Sequence, residues 1–129
     1  MKEGLHLRRL LVATGGFPNR AVLSLLSLVM PHSASWLHWG DTDLPGIRIA
    51  RVLKRCLGRT PEFFRCGGED VRRFKARLIP LSVQERKDMA ADLKGAPSAL
   101  GSSVLRADLA EGGWLEQEAW EPSTDRSSS

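Results

Sequence analysis

The chain has 129 residues, of which 42% are hydrophobic and 26% charged, with a net charge of +4. That size allows one small domain with a modest core, and the apolar content excludes a wholly disordered chain. No apolar run approaches the ~20 residues that span a bilayer, and Arg8 and Arg9 break up the N-terminal apolar stretch, which leaves no signal-peptide pattern. A cytoplasmic protein with no membrane partner is expected.

The run Leu5 to Ala13 ends in four apolar residues and predicts a strand buried on both faces, as in a parallel sheet. Thr14-Gly15-Gly16 breaks it. Pro18 suits the first turn of a helix extending to Val29, with Val22, Leu25, Leu26 and Val29 as its buried stripe. Pro31 stops that helix. Ser35 to Trp39 predicts a second strand, and Gly40 to Gly46, GDTDLPG, a turn. A helix follows from Pro45 to Leu57, with Ile49, Val52, Leu53 and Cys56 on one face, Arg48, Arg51 and Arg55 on another, and Gly58 closing it.

Glu62 to Arg65 predicts a short third strand, and Glu69 to Lys75 a short helix. Ser82 and Glu85 make the capping-box pattern of a helix running to Lys94. Further helices are expected over Ser98 to Ala110 and Trp114 to Trp120. The polar residues 121–129 are expected to form a disordered tail after a domain spanning 5–120. The order β-α-β-α-β followed by helices predicts a small three-layer α/β domain, a parallel sheet flanked by helices with a helical C-terminal part.

Cys56 and Cys66 are too few for a disulfide framework and, with no histidine nearby, make a poor zinc pair. Both are expected as buried or half-buried thiols. His38, alone on its strand, is expected to pack rather than to ligate. Charge is unevenly spread: residues 48–77 carry ten basic and three acidic side chains, and residues 82–129 five basic and nine acidic. A cationic block beside paired carboxylates fits either a polyanion held next to a metal or a solvated helix face.

Asp41 and Asp43 stand just past the second strand, at the end of a parallel sheet where ligands gather. Two carboxylates this close repel unless a cation or proton intervenes. Magnesium accepts one or two carboxylates and fills its other positions with water and phosphate oxygens. The other reading is that both aspartates cap the following helix.

The stretch Trp39-Gly-Asp-Thr-Asp-Leu-Pro-Gly-Ile-Arg-Ile resembles the second acidic motif of TOPRIM domains, the metal-binding module of topoisomerases, primases and some nucleases. Its form is most similar to the C-terminal domain of JetD, the nuclease subunit of Wadjet-type anti-plasmid systems. Residues 14–26 resemble the region after that family's first strand, and Leu115 to Trp120 its closing acidic motif, so the resemblance covers most of residues 7–120.

It implies Mg2+ or Mn2+ at Asp41 and Asp43, and DNA as the substrate for phosphodiester hydrolysis or transfer. It also implies condensin-like defence subunits as partners. Arg48, Arg51 and Arg55 would track phosphates. The family's glutamate at the end of the first strand falls on Ala13 or Thr14, neither acidic. Glu3 lies about ten residues upstream, roughly 33 Å along an extended strand, so Glu116 or Glu118 is the candidate replacement. The family carries a further region before this domain, so the chain reads as a lone module or a truncated relative. The alternative is a catalytically inactive DNA-binding or protein-interaction relative.

Overall fold

The computed structural model describes residues 7–13 and 16–120. β1 (Leu7–Ala13), β2 (Ser33–Trp39) and β3 (Glu62–Phe63) form a parallel sheet in the order β1-β2-β3. α1 (Arg20–Val29) and a 3-10 turn at Met30–His32 join the first two strands, and α2 (Leu44–Leu57) joins the second and third. There follow α3 (Gly68–Arg73), a 3-10 turn at Lys75–Arg77, β4 (Ile79–Pro80), α4 (Val83–Gly95), α5 (Ser102–Glu111), β5 (Gly113–Trp114) and a 3-10 turn at Gln117–Trp120. The domain is therefore α/β, a parallel three-stranded sheet flanked by helices, as the order of elements in the sequence predicts. No described helix is long and apolar enough to cross a membrane.

Local signals set most helix ends. The Asp43 carboxylate accepts the Gly46 N–H at 2.9 Å and starts α2, and Gly58 ends it at φ 74°. Both halves of the capping box open α4: the Glu85 N–H donates to Ser82 Oγ at 3.0 Å, and the Ser82 N–H donates to Glu85 Oε1 at 2.8 Å. Asn19 caps α1 through the Val22 N–H, so that helix starts two residues beyond Pro18.

α2 lies between two cores. Its Ile49 and Leu53 pack with Val12 of β1, Trp36 of β2 and Met30, with Leu23 and Leu26 of α1 against them. Its Leu44 and Ile47 pack with Val71, Met89, Leu105 and Leu115 from the C-terminal elements. Five expectations shift. β1 is not buried on both faces: Val12 is buried but Leu11 is 45% exposed, because β1 is an edge strand and its outer side is only partly covered. The inward line of α1 is Leu23 and Leu26, continued by Met30 of the 3-10 turn, while Val22 is 41% and Leu25 60% exposed, because α1 covers an edge strand that offers only a narrow contact. α5 begins at Ser102 rather than Ser98, because Gly101 takes φ 85°. The expected helix over Trp114–Trp120 is instead a two-residue strand pairing antiparallel with β4, then a 3-10 turn. Cys56 is exposed, whereas Cys66 is buried.

Cys66 donates to the His38 carbonyl at 3.2 Å, and burial pushes its thiol up to about 12. His38 is packed edge-on to Phe63 at 5.7 Å, and burial lowers its pKa to about 4, so it is neutral at pH 7. The expected tail over 121–129 lies outside the described residues.

A Cβ at Gly101 would come within 2.6 Å of Ile47 Cγ2, in a left-handed backbone conformation. Gly101→Ala is expected to destabilise by about 2–4 kcal/mol through strain and overpacking. Gly95→Ala, which meets nothing within 4 Å, should shift the urea midpoint far less. Equal midpoints for the two variants would contradict this placement of α5 on α2.

Candidate functional site

β1 and β2 end level, with Ala13 paired to Trp39. Beyond them the chain turns through Asp41, Thr42 and Asp43 into α2. A cleft of about 220 Å³ opens there, lined by Gly16, Phe17, Asp41, Asp43, Pro45, Gly46 and Ile49. Its position at the carboxyl ends of parallel strands is where this class of sheet presents ligand sites.

Gly46 makes the turn tight. A Cβ there would collide with the Asp41 carbonyl oxygen and lie 3.1 Å from Asp43 Oδ1. The two aspartates are held differently. Asp43 Oδ1 caps α2, as the capping reading requires. Asp41 Oδ1 instead accepts the Gln117 N–H at 2.8 Å, from the last 3-10 turn. Only Oδ1 of each carboxylate takes part in these bonds.

Between them Thr42 turns inward and is fully buried. Its hydroxyl donates to Asp108 Oδ1 at 3.0 Å and accepts the Leu115 N–H at 2.7 Å. Its own N–H donates to the Leu115 carbonyl at 3.0 Å. The acidic turn is thereby tied to α5 and β5.

Carboxyl groups are concentrated here. Burial raises the pKa of Asp43; the Gly46 N–H opposes this, while Asp41 and Glu85 add to it. Burial pushes Asp108 up to about 8, against the Thr42 hydroxyl and with a contribution from Asp43. Asp108 Oδ2 has no hydrogen-bond partner among the described residues.

Glu116 and Glu118 are exposed on the segment that holds Asp41, the contact itself being the Gln117 N–H. Among the described residues no three His, Cys, Asp or Glu side chains gather as a metal-ligand group, so neither glutamate joins the aspartate pair in one. Ala13 is exposed at the end of β1, and Thr14 lies outside the described residues.

The three arginines of α2 go to different places. Arg48 is exposed and shares a cleft of about 120 Å³ with Glu85 and Asp88. Arg51 donates to Asp92 and to the Leu100 carbonyl, both at 2.8 Å, tying α2 to α4 and the loop before α5. Arg55 lines an open groove of about 480 Å³ with Arg51, Lys54 and Leu100.

Sequence reasoning passed over Thr42 and Asp108. Thr42 carries no signal, since a threonine between two aspartates looks like a spacer. Asp108 does carry one. It lies four and three residues after Val104 and Leu105, on the buried face of α5, where a carboxylate needs a partner.

Thr42→Val keeps the shape and removes the hydroxyl, leaving the Leu115 N–H and Asp108 Oδ1 unpaired. A loss of about 2–3 kcal/mol is expected from urea unfolding; a loss below about 0.5 kcal/mol would contradict the tie. Asp108 holds its proton more tightly in the folded protein than in the unfolded chain. Its favourable contribution is therefore complete below about 4, the ordinary value being 3.8, and is lost as the pH rises through about 8. Asp108→Asn, which has no charge to bury, should flatten the melting temperature across that window and melt higher than the parent protein at its alkaline end. A parallel decline in both proteins would show that Asp108 is not the titrating group.

Residues 3–118 match a family model described as Protein of unknown function C-terminus (DUF2399). No curated protein and no solved structure matches the chain. The match takes in the sheet, both cores, the acidic turn and the segment that holds it, and the chain belongs to the DUF2399 family.

Proposed function

We propose that this domain is a TOPRIM-like module, similar to the C-terminal domain of the Wadjet nuclease subunit, that cleaves phosphodiester bonds in DNA with Mg2+ or Mn2+. The observation that carries the reading is the pairing of Asp41 and Asp43 on one cleft at the carboxyl ends of β1 and β2. Two hard carboxylates with room beside them suit a magnesium ion that takes its remaining ligands from water and phosphate oxygens. When bound, such an ion polarises the phosphoryl group and activates a water or hydroxyl nucleophile.

The chain's own residues prepare that site. Gly46 and the Gln117 N–H fix Asp41, the first turn of α2 fixes Asp43, and Thr42 anchors the turn from inside. The neighbouring Glu85 increases the attraction for a cation. The setting would be plasmid defence alongside condensin-like subunits, the role implied by the resemblance of the acidic motif.

One observation favours a second reading. By the resemblance, the TOPRIM glutamate falls on Ala13 or Thr14, neither acidic, and no third acidic ligand joins the pair among the described residues. On that reading the domain binds DNA or protein without cleaving.

Nicking of supercoiled plasmid separates the two. The nuclease reading expects relaxed product with magnesium or manganese, none with EDTA, and a loss of about a hundredfold or more in Asp41→Asn, which keeps the Gln117 bond but not the charge. Intact plasmid with either metal would overturn it in favour of the second reading.

A further inference from the structure

Aromatic rings and guanidinium groups alternate along one side of the domain. The Arg65 guanidinium carbon lies 4.9 Å from the centroids of Phe64 and Trp120 and 5.6 Å from that of Trp39. Arg73 lies 5.5 Å from the same Trp120 ring and 5.4 Å from Phe74, and Arg77 lies 5.8 Å from Phe74. Trp120 and Phe74 meet edge to face at 4.6 Å. The result is a ladder, Arg65–Trp120–Arg73–Phe74–Arg77, whose three arginines are all exposed.

The backbone points to the same place. Arg65 has φ 59° and is the one non-glycine residue with positive φ among the described residues. That conformation is disfavoured for an L-residue. It is held by the Trp120 indole, whose N–H donates to the Arg65 carbonyl at 2.7 Å. Strain that the surroundings enforce in this way clusters at functional positions. Its local effect is to seat one cation among three rings.

Three guanidinium groups on one patch repel one another. Contact with ring faces offsets part of that cost but neutralises no charge. A guanidinium held against a ring also keeps its in-plane N–H donors for bidentate bonds to phosphate, a use for which lysine is poorly shaped. The patch adjoins the acidic cleft: Trp39 is two residues before Asp41, and Trp120 is three residues after Gln117, whose N–H holds Asp41.

We infer that Arg65, Arg73 and Arg77 grip the phosphodiester backbone of DNA and lead it across the Trp39–Trp120 patch to Asp41 and Asp43. The inference rests on DNA being the substrate of the proposed function, but not on cleavage. It moves the contact from α2, where Arg51 is tied to Asp92 and Arg48 shares a cleft with Glu85 and Asp88.

Fluorescence anisotropy of a labelled DNA duplex in EDTA reads binding with no metal present. The double variant R73Q/R77Q should bind at least about tenfold more weakly, with the slope of log affinity against log salt reduced by about two. K87Q, which removes an exposed charge on α4, is the control and should bind as the parent does. Because Arg77 also donates to the Ala119 carbonyl, R73Q alone replaces the double variant if the latter melts early, with a slope change of about one expected.

Parental affinity and slope in these variants, or loss of binding in R48Q/R55Q alone, would overturn the inference. So would displacement of the duplex by poly-glutamate as readily as by unlabelled DNA, since the surface would then be a site for acidic protein. Failure here leaves the metal-dependent nicking result standing on its own, and failure of nicking leaves this binding result standing.

Discussion

A single buried hydroxyl organises the acidic turn. Thr42 donates to Asp108 and accepts from the Leu115 N–H, while its backbone N–H binds the Leu115 carbonyl. Each of these groups is buried, and each would cost about 1–3 kcal/mol if left unpaired. They therefore hold one another, and with them the turn. Thr42 is held inward by these bonds, while Asp41 and Asp43 on either side of it line the cleft. The two like charges stand one residue apart because the residue between them is the anchor.

The same tie brings the end of the chain into the site. Leu115 is 73 residues from Thr42, and Gln117 is 76 from Asp41, yet both bond to the turn. Trp120 follows directly and stacks with Arg65 and Arg73. An acidic cleft and a cationic aromatic surface thus share one structural support. α2 supplies the rest of the rigidity, because it contributes side chains to both cores and begins at the second aspartate.

Elements whose signals are local were legible in the sequence. The apolar run of β1, the capping box of α4 and the Gly58 stop of α2 depend on near neighbours, and each stands within a residue or two of its expected place among the described residues. The pair β4 and β5 was not legible, because two-residue strands leave no period and their pairing joins residues 79–80 to 113–114. The stripe of α1 was misjudged because periodicity gives a face but not how much of it the sheet will cover. Within the site, Asp41, Asp43 and Gly46 were visible as a motif. The partners Thr42, Asp108 and Gln117 come together only in the folded chain, and the arginine–aromatic ladder draws on segments some fifty residues apart. Glu116 and Glu118 were placed near the turn by resemblance, and their segment does reach Asp41, through the backbone of the glutamine between them.

The proposed function requires a divalent cation held at the Asp41–Asp43 cleft. Titration with magnesium, followed by the amide NMR signals of the turn, tests it most directly. Saturable shifts are predicted at Asp41, Asp43, Gly46 and Gln117, with selective broadening of the same signals by manganese and loss of both effects in Asp41→Asn. Unchanged signals at these four amides at saturating magnesium would contradict the claim.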